Sequence, residues 1–138
     1  MDALIKADKA WALIASPDAQ RLFDIRLVGL NHRPVRCRDG VRLHPADVAR
    51  EIRVPDPVVV PGLDDDLEES FSLNRGWAAW IARWHAAGAH IASSCTGAFL
   101  VAESGVLNGR PPTTHWMFAG ELIRRYPNSR PTGRSDDR

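Results

Sequence analysis

One cysteine and one histidine have the type and setting that chemistry can use. Cys95 lies in Ile91-Ala92-Ser93-Ser94-Cys95-Thr96-Gly97-Ala98-Phe99-Leu100, between an apolar run that reads as a strand and another that reads as a helix. Ser93 and Gly97 flank it, and small neighbours are what a sharp strand-to-helix turn needs to hold a nucleophile in a strained backbone conformation. At the first turn of a helix, free N–H groups and the macrodipole favour thiolate over thiol. Twenty residues downstream, Pro112-Thr113-Thr114-His115-Trp116 places an imidazole at the start of another helical pattern. A thiolate and an imidazole brought together would serve nucleophilic attack with proton transfer. The plainer alternatives are a buried, inert thiol and a histidine that only caps or packs.

The elements that must position these groups follow from periodicity. Asp2 to Ala15 reads as a helix with Leu4, Ala7, Trp11 and Ile14 on one stripe, ended by Ser16-Pro17. Phe23 to Leu30 alternates as a strand, with Phe23, Ile25 and Leu27 on one face. Short runs at Pro34–Cys37 and Val41–Leu43 flank Arg38-Asp39-Gly40, a hairpin signal because glycine accepts positive φ. His44 to Asp47 opens a turn or short helix. Val58-Val59-Val60 suits a parallel strand covered on both faces, and Pro61-Gly62 ends it. Asn74 is the expected N-cap of a helix bearing Trp77, Trp80, Ile81 and Trp84, with Gly88 as its stop. Ala89 to Ser93 is a strand, Thr96 to Ser104 a helix ended by Gly105, and Thr113-Thr114 a short strand. Trp116 to Tyr126 is a helix with Trp116, Ala119, Leu122 and Ile123 inward. Alternating strands and helices predict a mostly parallel sheet between helices, with ligands beyond the carboxyl ends of the strands, where Pro61-Gly62 and Cys95 both fall.

The chain has 138 residues, room for one domain with a real core, and a formal net charge of +1. That balance provides no global electrostatic case for nucleic-acid or membrane binding. Charge is nevertheless segregated: five carboxylates fall between Asp64 and Glu69, while Arg33, Arg36, Arg38, Arg42, Arg50 and Arg53 crowd the preceding stretch. The acidic run is expected to be a solvated entry to a helix rather than a metal site, and the arginines the solvent face of a hairpin and turn rather than a phosphate reader. Three tryptophans on one stripe are expected in the core, not as a base-stacking platform. Cys37 and Cys95 are too few for a disulfide scaffold, and without a signal peptide the expected location is a reducing cytoplasm. Cys37 is expected to be structural, and His32, His44, His85 and His90 lack metal-ligand spacing. No GxGxxG, P-loop, CxxC or HExxH motif occurs, and no metal or cofactor is expected. No apolar run approaches a membrane span. Asn128 to Arg138 offers nothing to bury and is expected to be a disordered tail.

Val58-Val59-Val60-Pro61-Gly62, Ser94-Cys95-Thr96-Gly97, Ala102-Glu103-Ser104-Gly105-Val106-Leu107-Asn108-Gly109-Arg110 and Thr113-Thr114-His115-Trp116, in that order, resemble the ThiJ/PfpI (class I glutamine amidotransferase-like) superfamily. The similarity is nearest to members fused to AraC-type helix-turn-helix regulators. It implies a flavodoxin-like three-layer α/β sandwich over residues 1–127, incomplete because the first and last strands are missing, so that the chain looks truncated at both ends. It further implies that Cys95 is the nucleophile-elbow cysteine, that His115 is its partner, and that Pro61, Gly62, Thr96 and Gly97 line a ligand site. Asp2 is assigned no catalytic role.

Three functions follow as expectations. The first is the small-molecule-sensing domain of an AraC-family regulator, acting as a homodimer, with no nucleic-acid binding by this chain. The second is a cysteine-dependent hydrolase or hydratase, isonitrile hydratase- or amidase-like, using Cys95 and His115. The third is a remnant or interaction subunit that completes its sheet with another chain.

Overall fold

The structure, a computed structural model, describes residues 2–15, 21–37, 40–64 and 66–129. They divide into two compact units, Met1–Ala49 and Arg50–Arg138.

In the first unit, helix α1 (Asp2–Ile14) forms where its periodicity places it. Its stripe is not a core face, however: Trp11 and Ile14 are exposed. Ser16-Pro17, the expected stop, lies outside the described residues. Phe23, Ile25 and Leu27 are half-buried and alternate with exposed Asp24 and Arg26, as a strand would. Ladder pairing is confined to β1 (Val28–Gly29), which runs parallel to β4 (Asp47–Val48) in the register Val28 to Asp47 and Gly29 to Val48. The expected turn before Asp47 therefore delivers a second short strand, because the N–H groups of Ala46 and Asp47 both donate to the Leu27 carbonyl. Arg26 bridges Asp24 at 2.7 Å and Asp47 at 3.6 Å. The hairpin forms from β2 (Val35–Arg36) and β3 (Arg42–Leu43), antiparallel, with Cys37 N–H donating to Val41 O and Gly40 at φ 80°. Arg38 and Asp39 at its tip lie outside the described residues.

In the second unit, β5 (Val58–Val60) runs parallel to β6 (Ile91–Ser93). Val60 is buried but Val59 is 52% exposed, so β5 is covered on one face where two were expected. Helix α2 (Leu67–Ala86) starts at Asp66, whose carboxylate accepts from Glu69 N–H, with Glu68 and Glu69 in the first turn. The acidic run is thus a helix entry, since carboxylates there meet free N–H groups and the positive end of the dipole. Asn74 is not the N-cap. It sits inside α2, its amide donating to Ser70 O, because the capping position is already filled upstream.

Ile81 and Trp84 are each 2% exposed, Trp77 and Trp80 are half-buried, and Trp84 Nε1 donates to Ile52 O. The tryptophan stripe is core. The short helix α3 (Ala98–Glu103) is enclosed on all sides from Ala98 to Ala102. Phe99 and Ala102 pack with Leu67 and Leu122, whereas Leu100 and Val101 pack with Val60 and Ile81.

The last helix begins as a 3-10 turn (Trp116–Phe118) that leads into α4 (Ala119–Arg125). Leu122 is buried, but Trp116 is 78% exposed, contrary to the inward position expected. At 100° per residue Trp116 stands about 120° from Leu122 and Phe118 only about 40°. Phe118 accordingly packs edge-on against Phe99, as Tyr126 does. Nor is Thr113-Thr114 a strand in the structure. Beyond Pro127, Ser129 is buried and Gly109 N–H donates to Asn128 O, so the packed chain runs two residues past its expected end. Residues 130–138 lie outside the described residues.

Candidate functional site: the cysteine turn between β6 and α3

Parallel β5 and β6 end together, and their carboxyl ends carry Pro61-Gly62 and Ser94-Cys95. Ser94 N–H donates to Val60 O, extending the ladder by one bond before the chain turns. Cys95 then adopts φ 51°, the only positive-φ residue other than glycine among those described, and opens a 3-10 turn (Cys95–Gly97) continuous with α3. Left-handed backbone costs a side-chain-bearing residue roughly 1–2 kcal/mol, so surrounding contacts must hold it.

Three contacts do so. The Thr96 side chain, 1% exposed, receives Leu63 N–H at 2.8 Å and donates to Leu63 O at 2.9 Å, which latches the loop after β5 to the turn. Gly97 lies directly on that loop: a Cβ there would stand 2.4 Å from Pro61 O and 2.7 Å from Val60 O, so only glycine fits. Thr114 Oγ1 donates to Cys95 O at 3.0 Å, tying the segment before the last helix to the same turn.

The thiol is left exposed and free. Gly62 lies beside it, since a Cβ on Gly62 would sit 3.6 Å from the Cys95 Cβ. His115 is the N-cap of the 3-10 turn, its Nδ1 accepting from Met117 N–H at 3.3 Å, and its ring lies 5.5 Å from that of Trp116. With Nδ1 acting as an acceptor, the proton of the neutral imidazole sits on Nε2, which is then a donor and not a base. Among the described residues none hydrogen-bonds the Cys95 thiol, His115 included.

The structure therefore gathers Cys95, Pro61 and Gly62 at one sheet end and links Thr114 to it. The Thr96 hydroxyl has both its bonds taken by Leu63, and Gly97 is packed against backbone, so both residues build the turn. Thr114 was missed as a site residue because its hydroxyl bond spans 19 positions and leaves no local signal. Neither of two surface concavities, one lined by Ile5, Asp8, Lys9, Arg21 and Phe23 and the other by His85, Ser104, Asn108 and Arg110, includes Cys95 or His115. Among the described residues no cluster of three or more His, Cys, Asp or Glu side chains is arranged to hold a metal, and no helix is long and apolar enough to cross a membrane.

A strand, a positive-φ cysteine and a helix in succession invite comparison with known proteins. The model of the DJ-1/PfpI family matches residues 14–131. This chain belongs to the DJ-1/PfpI family. Among its DJ-1/PfpI relatives is an uncharacterized protein encoded in the cpoL 5′ region of Streptomyces lividans, 36% identical over 107 residues that cover 77% of this chain and 74% of that one. Isonitrile hydratase of Pseudomonas putida is 28% identical over 77% of this chain, which spans only 44% of the hydratase. A crystal structure of a proposed transcriptional regulator from Vibrio parahaemolyticus superimposes with a TM-score of 0.71 at 21% identity, over 96% of this chain and 66% of that one. That likeness establishes the flavodoxin-like α/β fold with mostly parallel strands, seen here as small two-stranded sheets.

Proposed function

We propose that this chain is the small-molecule-sensing part of a transcriptional regulator of the AraC type, with the Cys95 turn acting as a nucleophile elbow that presents its thiol to a ligand. The observation that carries this reading is a thiol held out at φ 51° and left exposed, with no base or acid hydrogen-bonded to it among the described residues. Three contacts organise the backbone around a thiol that no described residue hydrogen-bonds, which suits recognition better than turnover. The fold likeness to a proposed regulator supports the same reading. Reading of DNA would belong to a part of the protein outside this chain. Ligand contact falls to Cys95, Pro61, Gly62 and the Nε2–H of His115, and the working location is the cytoplasm.

The second reading, a cysteine-dependent hydratase or hydrolase, draws on the likeness to isonitrile hydratase. In it Cys95 attacks an electrophilic carbon, and His115 must first exchange its Met117 contact for one with the thiol. A single experiment separates the two. The full chain is incubated with cyclohexyl isonitrile and, separately, with a small-metabolite library read by thermal shift. Sensing predicts saturable shifts abolished in Cys95→Ala, hits recovered chemically unchanged, and no loss of isonitrile above the Cys95→Ala control. Cys95-dependent consumption of the isonitrile would overturn it in favour of the enzyme.

A further inference from the structure

At the end of α3 away from the Cys95 turn, the second unit carries a concavity of about 280 Å³, bounded by Ala82 and His85 of α2 and by the turn from Ser104 to Arg110. Two helix C-termini meet there, and free carbonyls would repel an anion. Those carbonyls are occupied. Ala87 N–H takes Arg83 O and Trp84 O, Gly88 N–H takes His85 O, Ser104 N–H takes Leu100 O, Ser104 Oγ takes Val101 O, and Gly105 N–H takes Ala102 O. No acidic residue among the described ones lines the concavity, and neighbouring Glu103 accepts from the Tyr126 hydroxyl at 2.6 Å. What remains is a set of donors: the imidazole of half-buried His85, the Asn108 amide and the Arg110 guanidinium. None of these three side chains has a hydrogen bond or ion pair among the described residues. Gly105, at φ 79°, puts no side chain into the floor, where a Cβ would stand 3.5 Å from Asn108 Nδ2.

We propose that this concavity binds a small aliphatic monocarboxylate, with Arg110 as its charge partner, Asn108 and His85 as further donors, and Ala82 and Val106 against its alkyl part. The planar fork of arginine matches a carboxylate with two parallel bonds. A single guanidinium among the lining residues neutralises one negative charge, which favours a monocarboxylate over a phosphate dianion. The volume falls just below the roughly 300–1,000 Å³ of pockets for drug-sized ligands, so a ligand of a few heavy atoms fits it. Ala82 and Val106 give such a ligand an apolar wall that a bare inorganic anion would not use. The site is independent of what Cys95 binds.

Amide proton–nitrogen correlation spectra of the full chain, titrated with sodium butyrate, test it, with sodium acetate, sodium phosphate and sodium chloride at matched ionic strength for comparison. The expected result is saturable shifts over residues 82–85 and 104–110 while residues 94–97 stay in place. Butyrate should bind more tightly than acetate or phosphate, and chloride should give no saturable response. Arg110→Gln removes the charge from an exposed side chain that bonds nothing in the fold, so it should melt as the wild type does yet weaken butyrate about tenfold or more, the loss expected for a charge-assisted bond. Arg110→Lys, which keeps the charge but not the fork, should lose less. Shifts that never saturate, binding indifferent to Arg110→Gln, tighter binding of phosphate than of butyrate, or saturation confined to residues 94–97 would each overturn the proposal.

Discussion

Thr96 shows how much a single side chain decides at this site. Its hydroxyl is buried and answers both backbone groups of Leu63, so removing it strands a donor and an acceptor at once. An unpaired buried polar group costs about 1–3 kcal/mol. Thr96→Val, equal in shape but without the hydroxyl, should therefore lower stability by roughly that amount, and Thr96→Ser should recover most of it. Denaturant titration measures the difference. The same variants should change alkylation of Cys95 relative to Cys37, because the loop that leans on the turn is released. Equal stability of the valine and serine forms would show that the latch carries no weight.

Among elements, α4 is joined to α2 and α3 by polar contacts at its C-terminal end. Arg125 bonds both Glu121 and Glu68, stacks 5.2 Å over Phe71, and leaves Tyr126 to donate to Glu103 at 2.6 Å. Bonds from Arg124 and Arg125 hold the Glu121 carboxyl down at about 2. Its pairing therefore supports the fold fully above the ordinary carboxylate range and fades as pH falls toward about 2. Burial, followed by the Glu103 carboxylate, raises the Tyr126 phenol well above its ordinary value. The sign is opposite at this end: the contribution is intact below about pH 10 and is lost as pH climbs toward the raised value, because the unfolded chain gives up the proton first. Tyr126 is the single tyrosine of the sequence, so phenolate absorbance reports it alone. Absorbance should rise well above pH 10 in the native protein and near pH 10 once it is unfolded in guanidinium. Coincident curves would refute the contact with Glu103.

At the scale of the molecule, apolar burial is concentrated around Phe99, Ile81 and Trp84, while α1 and the hairpin leave Leu13, Ile14, Val35 and Val41 open. Two-stranded sheets are marginal by themselves. Local opening should follow burial, so amide hydrogen exchange is expected to be slowest over residues 81–84 and 98–102 and fastest over 2–15 and 40–43. Uniform protection across these four stretches would contradict that distribution.

Local signals in the sequence were enough for several features. The Asp-Gly hairpin, the acidic helix entry, the tryptophan core and the small-residue turn at Cys95 each depend on residues within a few positions of one another, where backbone sterics, capping and periodicity act directly. The family, too, was legible from the motifs around Gly62, Cys95 and His115. What the sequence could not decide were matters of which surfaces meet. Asn74 and Asp66 are both cap-forming types, and only the packed length of α2 selects Asp66. Trp116 and Phe118 are both apolar, and the contact with Phe99 turns Phe118 inward. Val59 reads like its neighbours, yet only one face of β5 is covered. Thr96 and Thr114 reach partners 33 and 19 positions away. How the segment carrying His115 is tied to the Cys95 turn was likewise a tertiary question, because its anchor, the Thr114 hydroxyl on Cys95 O, reaches back 19 positions.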